Sequence, residues 1–182
     1  MSNFKVPTRE EVSANNQAIF DQLQKSLGFV PNLYAYYAKS ETALPDYLAL
    51  QNRKSTLRAK EREIINLVVS QINNCRYCLS AHTVLGKMQG FSEAQILEIR
   101  GGSASFDAKF DALVKFTSAT VLNRGKADED SKKAFFAAGY TEANLVDAVI
   151  IIGDKTISNY IHNLTDFAID FPLAPELENA TA

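Results

Sequence analysis

The chain has 182 residues, 46% hydrophobic and 22% charged, the usage of one ordinary globular domain that needs neither disulfides nor a structural metal to close its core. Nineteen Lys and Arg against twenty-one Asp and Glu leave a net charge of −2, which argues against nucleic acid as a partner, since such a binder carries a basic excess. The longest apolar run, Ala148 to Gly153, is far short of a membrane span, and the opening MSNFKVPTREEV has no apolar signal stretch, so a cytoplasmic protein without membrane association is expected.

Thr8 with Glu11 forms a capping box and predicts a helix from there to about Leu27, stopped by Gly28. Pro31 opens a short segment over 32–39, and a further helix is expected over 41–54 with Pro45 in its first turn. Ser55 or Thr56 is expected to cap the next helix, where apolar positions 57, 64, 65, 68, 69 and 72 follow helical spacing. Asn73 and Asn74 break it and introduce a helix from Cys75 to about Gln89, ended by Gly90. Ser92 and Gln95 form a second capping box, and Gly101-Gly102 closes that helix. Three more helical patterns cover 106–123, 128–138 and 141–169.

No set of alternating strands is present, because Val68-Val69 and Val149 to Ile152 each lie inside a longer helical pattern. The expected fold is all-α, a single multi-helix domain over 1–182 in which the Cys-bearing helix packs antiparallel to the helix before it. Gly90-Phe-Ser-Glu-Ala94 and Gly139-Tyr-Thr-Glu-Ala143 echo each other 49 residues apart, as two helix stops followed by helix starts. The run from Leu145 to Ile152 is apolar on nearly every side of its helix, more than one core requires, and suggests a subunit interface.

Chemistry concentrates at Cys75, Cys78 and His82, which share one helix face at i, i+3 and i+7. Two cysteines three apart in a reducing compartment suit redox or metal chemistry better than a structural bridge. A first-turn position favours a thiolate, and a neighbouring base increases its availability. If the helices flanking Asn73-Asn74 fold back on each other, Glu63 lies about as far before the turn as His82 lies after it. That brings the carboxylate to the level of the imidazole, in position to orient it. Two other readings remain: plain buried core cysteines, and a zinc site completed by His162. The zinc reading is disfavoured because three of its ligands would sit on one continuous helix.

The pattern Glu63-x₁₁-Cys75-Arg-Tyr-Cys78-x₃-His82 resembles the signature of the alkylhydroperoxidase D family, within the carboxymuconolactone decarboxylase superfamily. Gly28-Phe-Val-Pro-Asn-Leu33 and Ala38-Lys-Ser40 resemble the N-terminal segment of its peroxidase-related branch. The resemblance implies an all-helical fold, homo-oligomers (commonly trimers or hexamers), and no metal or organic cofactor. It also implies that Cys78 attacks the peroxide, Cys75 resolves, His82 is the base acting through a water, and Glu63 is its carboxylate partner. Some members have His just before the second cysteine, where this chain has Tyr77. A phenol with a pKa near 10 is a poor base at neutral pH, so Tyr77 is expected to donate a hydrogen bond or shape the pocket. The decarboxylase side of the superfamily lacks the CxxC pair, which disfavours lactone decarboxylation here.

The expected activity is thiol-dependent reduction of a hydroperoxide, with an unidentified dithiol or protein reductant completing the cycle. The alternative is a non-catalytic oligomeric binding or redox-sensing protein, whose cysteines react once without turnover.

Overall fold

A computed structural model describes residues 4–177; residues 1–3 and 178–182, which belong to the expected 1–182 domain and to the reading of the N-terminus, lie outside the described residues. Helices α1 (Ala14–Leu27), α2 (Asn32–Tyr37) and α3 (Ala43–Gln51) lead to α4 (Ala59–Ile72) and α5 (Arg76–Met88). They are followed by α6 (Glu93–Arg100), α7 (Ala108–Leu122), α8 (Glu129–Ala137) and α9 (Glu142–Thr165). The fold is all-α, with no strand among the described residues.

Local hydrogen bonding moves several of the expected helix ends. The Thr8–Glu11 box closes only a 3₁₀ turn over Arg9–Glu11, in which Glu11 Oε2 accepts the Thr8 N–H at 2.8 Å. Val12 is extended and its carbonyl accepts from the Gln17 side chain, so α1 starts afresh behind Ser13, which caps the Asn16 N–H. Ser55 and Thr56 do not cap α4, because both hydroxyls donate to Asp147 from α9. The helix begins instead after Arg58, whose N–H is taken by Glu61 at 2.8 Å. At the other end α9 stops at Thr165 rather than near 169, because Asp166 turns left-handed (φ 46°) and returns its N–H to the His162 carbonyl.

The repeated Gly-aromatic pentapeptide marks one kind of corner used twice. Gly90 and Gly139 both adopt φ 86°, a conformation that costs glycine little. Each is followed by a buried aromatic, Phe91 or Tyr140, and then by a capping hydroxyl, Ser92 or Thr141.

Helix α4 runs through the middle, with every residue from Ile64 to Ser70 buried, and packs against α5, α7 and α9. One apolar cluster gathers Ile64, Ile65, Leu67 and Val69 with Leu113, Val114, Phe135 and Ala148. A second, richer in aromatics, gathers Phe20, Leu33, Leu44, Tyr47 and Phe167 around Cys75, Tyr77 and Cys78. Beyond Asp166 the chain doubles back as a strap. Asp170 accepts the Asn32 N–H at 2.7 Å, Ser80 Oγ accepts the Ala174 N–H, and Arg100 donates to the Pro175 carbonyl.

Helix α9 buries Ala148 and Ile151 but leaves Val146, Val149, Ile157, Tyr160 and Leu164 exposed along one stripe. No single helix among the described residues is long and apolar enough to cross a membrane.

Candidate active site around the cysteine pair

The site starts from the turn between α4 and α5. Asn74 takes a left-handed conformation (φ 52°), which Asn tolerates better than most residues, and the Cys75 N–H then returns to the Ser70 carbonyl at 3.0 Å. Cys75 is therefore the N-cap of α5 rather than a residue of its first turn, with its sulfur accepting the Cys78 N–H at 3.4 Å. Cys78 occupies the third helical position. The two cysteines are free thiols, and both are buried.

They face different surroundings. Cys78 and His82, one turn apart, line a cavity of about 420 Å³ whose walls include Phe29, Leu33, Leu85 and Phe171. Cys75 is sealed behind it, wholly without exposed surface.

The antiparallel packing of α4 on α5 brings Glu63 to His82, as the spacing predicted: His82 Nδ1 and Glu63 Oε2 are 2.7 Å apart. The other carboxylate oxygen accepts from Asn66 at 3.3 Å. Burial opposes a charge on Glu63, but His82, Lys155 and the Asn66 bond outweigh it and hold its carboxyl below the usual range. Burial, reinforced by the Lys155 cation, lowers the His82 pKa despite Glu63. An ionised carboxylate facing a neutral imidazole fixes the tautomer: Nδ1–H donates to Glu63, and Nε2 keeps its lone pair.

The thiols separate in the same way. The bond Cys75 makes to Cys78, and then burial, push the Cys75 thiol far up. Burial also opposes a Cys78 thiolate, but the Cys75 hydrogen bond, the Lys155 charge and Asn159 together bring Cys78 below its ordinary value. The Cys78 N–H favours the opposite assignment, yet it is weaker than these effects combined.

Asn159 and Lys155 come from α9 and were not singled out from the sequence. Asn159 donates to Ser70 Oγ at 3.2 Å and accepts from Asn73 at 3.0 Å, tying α9 to the turn that carries the cysteines. The available signal was polar residues on a buried helix face: Asp147, Asp154, Lys155, Ser158, Asn159 and His162 all point inward on α9.

Tyr77 lines the cavity. Its hydroxyl accepts the Leu33 N–H at 3.2 Å, and its ring is enclosed by His162, Phe167 and Phe171, so burial drives its pKa upward. His162 bonds the Phe167 carbonyl through Nε2 and is turned to that strap. Among the described residues, no three His, Cys, Asp or Glu side chains converge to hold a metal ion.

Residues 39–121 match the Carboxymuconolactone decarboxylase family. The fold is similar to that of an uncharacterized peroxidase-related protein from Silicibacter sp. TM1040, at 22% identity and a TM-score of 0.78, over 98% of this chain and 94% of that one. It is also similar to an alkylhydroperoxidase AhpD core, an uncharacterized peroxidase-related protein from Ralstonia eutropha JMP134. There the identity is 20% and the TM-score 0.83, over 93% of this chain and 92% of that one. The debrominase Bmp8, solved as a cysteine-to-alanine variant with 2,3,4-tribromopyrrole, has a TM-score of 0.76 at 15% identity, over 93% of this chain and 92% of its own. No curated protein sequence matches this chain.

Proposed function

We propose that this chain, whose residues 39–121 match the carboxymuconolactone decarboxylase family and whose fold is alkylhydroperoxidase D-like, is a thiol-dependent peroxidase. One observation carries the reading: a thiol with a depressed pKa lines a cavity beside an imidazole whose far nitrogen is kept basic by a buried carboxylate. In the proposed cycle His82 Nε2 takes the Cys78 proton, directly or through a water. The thiolate attacks the terminal oxygen of the hydroperoxide, the O–O bond breaks, and the departing alkoxide recovers the proton from His82 as an alcohol. Cys78 is left as sulfenic acid. The Cys75 sulfur then attacks Cys78, the hydroxyl leaves with the Cys75 proton as water, and a disulfide remains. A cytoplasmic dithiol or protein reductant takes up that oxidation and restores both thiols. Sealing Cys75 away from the cavity suits its proposed role, since only Cys78 then meets the peroxide. The exposed stripe on α9 supports assembly with further copies of the chain, as a trimer or hexamer.

Peroxide consumption with a recycling dithiol tests this. Sustained turnover is expected, with none in Cys78→Ser and a single equivalent in Cys75→Ser. A wild-type protein that reacts once and stops is a sensor or binding protein, and the peroxidase reading fails.

A further inference from the structure

Lys155 is the most unusual residue of the cavity. It lies on α9 with 2% of its surface exposed, yet no hydrogen bond and no ion pair engages its ammonium among the described residues. Neither nearby carboxylate pairs with it directly. Glu63 spends its two oxygens on His82 and Asn66. Asp154, whose charge reaches Tyr47, Tyr34, His82 and Cys78, is not part of the cavity lining and forms no ion pair with the ammonium. Lys155 itself lines the cavity with Cys78 and His82, and it is the one Lys, Arg, Asp or Glu among the described lining residues. Glu63 is close enough to be stabilised by the Lys155 charge, but the ammonium has no direct partner among the described residues. A buried ammonium with unused donors is costly, and an anion entering the cavity would take them up. Apart from Ser26, Gln51 and the hydroxyls of Tyr34 and Tyr77, the remaining walls are apolar, with Phe29, Leu33 and Phe171 inside and the exposed Leu27 and Met88 at the rim.

We propose that the cavity is a site for apolar organic anions, with a carboxylate-like head on Lys155 beside Cys78 and a hydrocarbon body along the aromatic and aliphatic walls. Where the peroxidase reading holds, and this part rests on it, the substrate is a carboxylate-bearing organic hydroperoxide.

The selectivity itself is measurable without turnover, by alkylating the reduced full chain with iodoacetate, an anion, and iodoacetamide, its neutral counterpart. Trypsin cleavage after Arg76 places Cys75 and Cys78 on separate peptides, so the rate at Cys78 is read directly. The iodoacetate-to-iodoacetamide ratio at Cys78 should exceed that of the urea-unfolded chain by about tenfold, the scale of one charge-assisted hydrogen bond. Lys155→Met should lose that preference and Lys155→Arg should keep it. Any change in Cys78 ionisation affects both reagents alike and cancels in the ratio. Equal loss with both reagents in Lys155→Met overturns the proposal.

A second measurement needs no variant: octanoate should protect Cys78 from iodoacetamide at concentrations where octanol does not. Equal protection by both, or by neither, also overturns it. Absence of peroxide turnover in a protein that retains the anion preference would defeat the peroxidase reading alone.

Discussion

Replacing Glu63 by Gln and His82 by Gln separates the two halves of the proposed proton relay. The side chains meet at 2.7 Å with little solvent around them, and in Glu63→Gln the introduced amide oxygen still accepts the Nδ1–H. Geometry is thereby retained, and what disappears is the charge opposite the imidazolium that forms when Cys78 gives up its proton. A charge-assisted hydrogen bond exceeds a neutral one by about 1–2 kcal/mol. Glu63→Gln should therefore slow the first oxidation of Cys78 roughly 5- to 30-fold at pH 7. His82→Gln removes the base itself and should cost on the order of 10²–10⁴-fold.

The pH dependence carries the sign. Burial and Lys155 hold His82 below its ordinary pKa, so in the wild type the base is already free at neutral pH. Without that base the reaction depends on ionisation of Cys78 alone, so the profile of His82→Gln should move to higher pH. Glu63→Gln keeps the imidazole and removes a charge that raises its pKa, so it should lose rate without that upward shift. The assay is rapid-mixing measurement of sulfenic acid formation on reduced protein with limiting peroxide, across roughly pH 5 to 9, the range that spans imidazole and thiol titration. Because the pair acts as a unit, the double variant should be little worse than His82→Gln. Fully additive losses, or an unmoved profile in His82→Gln, would refute the relay.

Asp147 predicts a purely structural loss. Against the cost of burial, its carboxylate is held well below the usual range by the Thr56 N–H and hydroxyl, Arg53 and Ser55. Asp147→Asn should destabilise by about 2–4 kcal/mol, lowering Tm by roughly 5–15 °C, as read by calorimetry. Since the folded pKa is depressed, this stabilisation is complete above about pH 4 and is lost as pH falls below it, so the variant should show a shallower acid-side decline. For the stripe on α9, sedimentation should give an oligomer for the wild type and a shift toward monomer for Ile157→Glu; a wild-type monomer near 20.1 kDa at micromolar concentration would refute the interface.

The pairing of Glu63 with His82 was legible because it depends on one local fact, an antiparallel turn, and on helical rise alone. The same holds for the glycine corners at 90 and 139, where the backbone conformation and the capping residue are neighbours in sequence. What escaped was decided by distant partners. Ser55 and Thr56 have the chemistry of a helix cap, but Asp147, some ninety residues on, recruits their hydroxyls. Lys155 and Asn159 would pass as solvated helix residues in any local window; they enter the site only because α9 lays its polar face on the α4–α5 turn. Cys75 differs by a single position, N-cap instead of first turn, and that position follows from the left-handed Asn74. For Tyr77, the identity of the residue disfavoured proton chemistry, but only the Leu33 N–H and the three surrounding rings show how it is fixed.

The strap beyond Asp166 also sets a timetable. Phe167 and Phe171 close over Tyr77, and Ala174 and Pro175 secure the flank of α5 and Arg100, yet these residues follow every other part of the site along the chain. On a ribosome, which releases a protein from its N-terminus onward, helices α1 to α8 emerge while that cover is still unmade. The cysteine-bearing helix therefore spends its first moments with its aromatic neighbour uncovered, and its thiols acquire their final environment only after residue 175 has emerged.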